Sequence, residues 1–163
     1  PREGMYSDRM GEMYRKITDG KLYHLRDYKI GPCHACDYCK EINIGECIQR
    51  DDMAPLYKDI RECDTIAIFS PVYWWQVSAQ AKLFIDRLYA LQKEDLEGKK
   101  LVVVVNGEEK DGDKEYQVLN SAFLMMADYL KMDLRFLGLG TDGEESWKDK
   151  EKWVEEFLQS TLN

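Results

Sequence analysis

Apolar residues recur at helical spacing in five segments of the chain. They are Tyr6, Met10, Met13, Tyr14 and Ile17; Met53, Leu56, Tyr57 and Ile60; Ala81, Phe84, Ile85, Leu88 and Leu91; Val118, Leu119, Ala122, Phe123, Met126, Ala127 and Leu130; and Trp147, Trp153, Val154, Phe157 and Leu158. Between them stand short apolar runs at 22–25, 65–69, 101–105 and 134–139, which predict strands; the β-branched run at 101–105 is the strongest of these signals. Ser7 or Asp8 predicts the cap of the first helix, and Asp19-Gly20 its end. Asp51-Asp52 caps the second, with Pro55 in its first turn, and Ser78 caps the third. Regular alternation of strand and helix predicts a parallel sheet with helices on both faces, an α/β doubly wound domain. The chain opens on a helix, whereas such a domain opens on a strand, so the first strand is expected ahead of Pro1. No repeat or linker divides residues 1–163, and one domain is expected.

Composition narrows the class. The 163 residues are 44% hydrophobic and 33% charged, which reads as a globular chain with a sizeable core. No run approaches the roughly 18 apolar residues of a membrane span. A net charge of −8 disfavours a nucleic-acid partner, because nothing draws in a polyanion. Four of the five cysteines fall between 33 and 47, and the odd total does not suit a secreted disulfide framework; a reducing, cytoplasmic setting is expected.

The candidate chemistry lies where strands end. In an open α/β sheet, ligands sit beyond the carboxyl ends of the strands. The strand at 65–69 runs into Ser70, Pro71, Val72, Tyr73 and Trp74, read here as an aromatic loop that leads to the helix capped by Ser78. Such a loop supplies a flat apolar wall and backbone hydrogen bonds; its aromatics equally suit a core or a subunit contact, and Trp75 is assigned there. Asn106 and Gly107 follow the strand at 101–105. Gly admits close backbone approach and Asn offers donors and acceptors, although Asn-Gly by itself most often marks a turn. At the amino end, Arg2 and Ser7 beside a helix N-terminus offer an anion site, or simply a cap with an exposed Arg.

Cys33, Cys36, Cys39 and Cys47 follow the spacing Cys-x2-Cys-x2-Cys-x7-Cys. Three thiols at i, i+3 and i+6 with a fourth nearby suit one compact 4Fe-4S cluster. Zinc more often takes two separated Cys-x2-Cys pairs. Redox or inert thiols are the remaining reading, since buried free Cys is ordinary. Cys63, just before a core strand, is read as structural, and neither His24 nor His34 is assigned a role.

Ser70-Pro71-Val72-Tyr73-Trp74, Ser78-Ala79-Gln80 and Ile85-Asp86-Arg87 together resemble the flavodoxin-like NAD(P)H-dependent FMN reductases. The cysteine motif and the Asp51-Asp52-Met53 that follows it are similar to the iron-sulfur flavoprotein branch of that group, and Pro1-Arg2 with Ser7 resembles the tail of its Gly-Ser-Pro-Arg phosphate loop. The resemblance implies a sheet of order 2-1-3-4-5 and FMN held by Arg2, Tyr6, Ser7, Ser70, Pro71, Val72, Tyr73, Trp74, Asn106 and Gly107. It also implies a 4Fe-4S cluster on the four cysteines, NAD(P)H as co-substrate, an unidentified electron acceptor, and a homodimer or homotetramer. No side chain is assigned as a catalyst, because the flavin carries the chemistry. Two rivals stand beside this reading: an electron-transfer flavoprotein that does not use NAD(P)H, and a cofactor-free binding module.

Overall fold

The computed structural model describes residues 2–163. Its centre is three parallel strands, β1 (Thr65–Tyr73), β3 (Lys100–Gly107) and β4 (Asp133–Gly140). A two-residue strand, β2 (Gln76–Val77), runs antiparallel to the end of β1, giving the order β2-β1-β3-β4. The helices are α1 (Tyr6–Thr18), the short α2 (Tyr38–Glu41), α3 (Met53–Glu62), α4 (Ala79–Arg87), α5 (Lys114–Leu130) and α6 (Gly143–Ser160).

Period-two alternation along β3 sends its side chains into two cores. Val102 and Val104 join Met10, Tyr14, Trp147, Val154 and Leu158 from α1 and α6 on one face. Leu101, Val103 and Val105 join Leu56, Tyr57, Ala81, Leu119 and Phe123 from α3, α4 and α5 on the other. This is the flavodoxin-like doubly wound architecture, with β1, β3 and β4 adjacent as the last three strands of the order 2-1-3-4-5.

The structure corrects several expectations. Residues 22–25 form no strand; irregular backbone there leads into a 3-10 turn at Leu25–Asp27. The reason is a missing neighbour. Beyond the pairing of Val72 and Tyr73 with β2, the edge of β1 away from β3 has no strand partner among the described residues. A cavity of about 910 Å3 runs along that edge, with Leu22, Tyr23 and His24 on its far side and Gly11, Tyr14, Leu56 and Ile60 among its walls. A segment facing an open slot has no ladder to join. The strand expected ahead of Pro1 lies outside the described residues, as does Pro1 itself; the slot is where the order 2-1-3-4-5 puts strand 1.

Alternate residues of a parallel strand aim their backbone groups at opposite neighbours. Amide hydrogen exchange along 65–70 is therefore expected to alternate, with every second amide protected by β3 and the others exposed to the slot. Uniform protection would show that a further segment covers this edge.

Other differences are local. The N-cap of α1 is Met5, not Ser7 or Asp8; Asp8 lies inside the first turn and accepts the Gly4 N–H at 2.8 Å. Asp52 caps α3 by position only, and the Met53 N–H is taken by Asp51 (3.1 Å). Ser78 caps α4 as expected, accepting from Ala81 N–H at 3.3 Å. The helix from Ser78 stops at Arg87 and tightens into a 3-10 turn, Leu88–Ala90. On α5 the buried face is Tyr116, Leu119, Phe123 and Ala127, while Val118 and Ala122 are exposed.

Candidate functional site

The expected aromatic loop is the end of a strand and a tight hairpin. Ser70, Pro71, Val72 and Tyr73 all belong to β1, and Val72 pairs with Val77 and Tyr73 with Gln76. The strand continues because this hairpin gives its last residues a partner. The turn is Trp74-Trp75, both in the left-handed region (φ 54° and 61°). Two such residues in a row are the signature of a type I′ turn, which normally takes Asn-Gly. Two tryptophans there carry backbone strain of about 1–3 kcal/mol each, of the kind that accumulates at functional sites. Trp74 is 87% exposed, and its ring lies 5.3 Å from that of Trp75.

Ser70 is wholly buried, and its hydroxyl accepts the Ser78 N–H (2.9 Å), which ties the hairpin's return to β1. Pro71 stands beside Asn106 in the β1–β3 register. A Cβ built on Gly107 would lie 3.4 Å from the Val72 Cβ, 3.0 Å from the Tyr116 hydroxyl and 2.6 Å from a Glu115 carboxylate oxygen. Residues 71–73 and Asn106-Gly107 thus lie side by side at the carboxyl ends of two adjacent strands.

The amino-terminal residues separate. Ser7 joins the site: its hydroxyl donates to Asn106 Oδ1 at 2.8 Å, and Asn106 Nδ2 donates to the Thr141 hydroxyl at 3.0 Å. The Thr141 N–H closes the network on the Gly107 carbonyl at 2.7 Å. Asn106 is only 7% exposed and both ends of its amide are engaged within the protein. Tyr6 goes elsewhere. Helical periodicity puts it on one face with Met10 and Tyr14, so its ring is buried and stacks on Trp147, centroids 5.5 Å apart. Arg2 is exposed beside the start of α1, whose first turn carries no side-chain cap. Asp8, the acid of that turn, is answered by Arg26 at 2.8 Å. Burial alone would raise the Asp8 carboxyl, but the Arg26 and Gly4 hydrogen bonds outweigh it and hold it below the usual range.

Sequence reasoning missed Thr141, Glu115 and Tyr116. Glu115 faces Gly107 with one carboxylate oxygen buried and unpartnered. Burial first, then the nearby Glu109, Asp113 and Glu108 charges, push its carboxyl upward. No spacing in the sequence points to these residues; the turn of α5 over β3 brings them in.

Cys33, Cys36, Cys39 and Cys47 all line one small cavity, together with Tyr38, Gln49, Asp86 and Arg87. Cys33 and Cys36 are exposed, Cys39 is buried and Cys47 half-buried, and all four are free. Among the described residues no three of His, Cys, Asp or Glu converge closely enough to hold an ion between them. The thiols share one cavity and one chemistry without closing to ligand distance. Burial pushes the Cys39 thiol up, opposed by the neighbouring Lys40 charge. Cys63 stands apart, its thiol donating to the Ile60 carbonyl (3.4 Å) and raised mainly by burial.

A doubly wound sheet with this hairpin and glycine edge beyond its carboxyl ends defines a flavodoxin-like cofactor domain. Residues 1–133 match the model of the NADPH-dependent FMN reductase family, and the chain belongs to that family. It is 36% identical over 101 residues to an iron-sulfur flavoprotein of Archaeoglobus fulgidus, in a match covering 60% of this chain and 51% of the relative. The chain therefore spans about half the length of that relative. Among solved structures, the fold is similar to an NAD(P)H:quinone oxidoreductase from Methanothermobacter marburgensis, with a TM-score of 0.66 and 17% identity over 100% of this chain and 93% of that one. It is also similar to an FMN-dependent NADH-azoreductase from Bacillus anthracis solved with FMN, with a TM-score of 0.67 and 12% identity over 99% and 94% of the two chains. Among the described residues, no helix is long and apolar enough to cross a membrane.

Proposed function

We propose that this chain is the FMN-binding domain of an oxidoreductase that takes electrons from NAD(P)H and delivers them to a separate acceptor through a 4Fe-4S cluster on Cys33, Cys36, Cys39 and Cys47. The observation that carries the flavin part is the meeting of Ser7, residues 71–73 and Asn106-Gly107 at one end of the sheet, joined by the Ser7–Asn106 hydrogen bond. The family match and the FMN-bound azoreductase structure support the same ligand.

The residues present fit the cofactor. The uncapped first turn of α1 leaves backbone N–H groups free for a phosphate, and Arg2 adds a charge nearby. Tyr73 and Trp74 offer exposed aromatic surface for a flat ring. Gly107 has no side chain because Glu115, Tyr116 and Val72 occupy the space its Cβ would take. Because the Asn106 amide is spent on Ser7 and Thr141, this residue acts as a brace between the phosphate and ring halves, and ring-edge hydrogen bonding falls to backbone groups. Bound FMN would supply acceptance of a hydride from nicotinamide and release of electrons singly. The exposed Trp74-Trp75 tip suits cover by the nicotinamide or by a second copy in a homo-oligomer.

The cysteine part rests on donor chemistry: four thiols of one compact motif on one cavity, as expected for a cluster of four thiolate ligands. The iron-sulfur flavoprotein relative supports it. The protein, purified without oxygen and supplied with FMN, is expected to show flavin absorbance, about four irons and four sulfides per chain, and bleaching of the flavin on addition of NADPH or NADH. Flavin that stays unbleached with both nicotinamides would refute the reductase reading. Zinc in place of iron and sulfide would refute the cluster.

A further inference from the structure

We propose that Arg87 is the positioning residue of the cysteine site, its Nε–H aimed at sulfur on the occupant of that cavity and stabilising that occupant's reduced form. This rests on the reading of the four cysteines as cluster ligands and assigns a role to a residue outside that ligand set.

Arg87 ends α4 and is 1% exposed, an environment that a guanidinium enters only with strong partners. It has them on one side. Nη1 donates to Asp51 Oδ2 at 2.6 Å and to the Gly31 carbonyl at 3.0 Å, and Nη2 donates to Asp51 Oδ1 at 3.1 Å. Asp51 also accepts the Gly31 N–H at 2.8 Å. Gly31 lies two residues before the first cysteine and Asp51 four residues after the fourth. The guanidinium therefore clasps both ends of the cysteine loop at its base, and Gln49 Nε2 on the Pro32 carbonyl (2.9 Å) tightens the same closure.

One guanidinium donor is left over. Nε–H is fully buried and has no hydrogen-bond partner. Leaving such a donor unmade is costly, and more so for a charged group. Arg87 lines the cavity shared by the four cysteines. The other charges on that cavity are already answered: Asp86 by Lys82 (2.6 Å) and Asp37 by the Tyr89 hydroxyl (3.0 Å). A cluster with four thiolates is a dianion when oxidised and a trianion after taking one electron. An N–H donor beside its sulfur favours the more negative state and raises its potential.

The experiment uses the whole chain, purified without oxygen, labelled with 15N-arginine and reduced by one electron with dithionite. Iron and sulfide content comes first: their absence overturns the cluster reading, and this inference falls with it. With cluster present, pulsed EPR of the wild type is expected to show a 15N coupling and an exchangeable proton coupling to the reduced cluster. Arg87→Lys, which keeps the charge but has no Nε fork, is expected to lose both and to shift the midpoint potential to more negative values at unchanged iron content. A cluster-bearing wild type without arginine nitrogen coupling overturns the proposal while leaving the cluster reading intact. So does R87K with an unshifted potential. If R87K fails to fold, the wild-type spectrum decides alone.

Discussion

Asp51→Asn is expected to lower folding stability by roughly 3–5 kcal/mol, because it leaves the buried Arg87 guanidinium without its counter-charge. The loss exceeds that of a surface pair for a structural reason. Arg87 is 1% and the Asp51 side chain 17% exposed, so neither charge can be resolvated without opening the base of the cysteine loop. Asn would also weaken the acceptor for the Gly31 and Met53 N–H groups, which fix the loop base and the first turn of α3. The same pair predicts a pH dependence. Burial alone would raise the Asp51 carboxyl; hydrogen bonds from Arg87, then from Gly31 and Met53, outweigh it and hold its folded pKa below the ordinary value. The sign follows: a depressed folded pKa stabilises the fold at pH above the unfolded value of about 3.9, and that contribution disappears as pH falls through the folded pKa. Urea denaturation of wild type and D51N at pH 7 and at stepwise lower pH checks both. Wild type should lose stability below about pH 4 more steeply than D51N. A D51N cost below about 1 kcal/mol at pH 7 would mean the pair is no more than a surface contact.

Gly140→Ala is expected to destabilise the fold by at least about 1–3 kcal/mol and to weaken FMN binding with it. A Cβ at this position would sit 2.2 Å from the Glu109 carbonyl oxygen, 3.2 Å from its carbon and 3.4 Å from the Lys110 Cα. Every one of these atoms is backbone, so no side chain can swing aside. Either the loop at 108–113 or the end of β4 must move. That loop is pinned where it would be pushed: Asp111 accepts the Gly140 N–H at 2.8 Å and Lys150 at 2.7 Å. The next residue, Thr141, holds Asn106 and Gly107, so the displacement reaches the cofactor end of β3 directly. Thermal unfolding and FMN titration of G140A measure the two effects. FMN affinity equal to wild type in a destabilised G140A would show that the Thr141–Asn106 brace does not support the site.

Much of this architecture is written in the chain as periodicity. The apolar run Leu101 to Val105 reads as a strand covered on both faces, because it is apolar at every position and mostly β-branched. The placing of Pro71, Val72, Asn106 and Gly107 at the carboxyl ends of β1 and β3 was legible for the same reason, since the apolar runs before them mark the strands. What periodicity could not report is pairing. Residues 22–25 have strand composition but face the slot beside β1, whereas residues 70–73, which read as a loop, extend β1 because Val77 and Gln76 return alongside them. Tyr6 shows the limit from another side. Its place in the helical stripe with Met10 and Tyr14 put its ring in the core, a packing role that the resemblance did not report.

The sequence by itself determined the fold class, the two-faced core and the compactness of the cysteine motif. These depend on local spacing, and local spacing survives in a string of letters. Only the tertiary structure decided the partners. It took the Asn106 amide for Ser7 and Thr141, placed Glu115 against Gly107, and set Arg87 between Gly31 and Asp51 at the base of the cysteine loop. Hydrogen bonds and ion pairs between residues dozens of positions apart leave no periodic trace; they exist only once the sheet has brought their elements together.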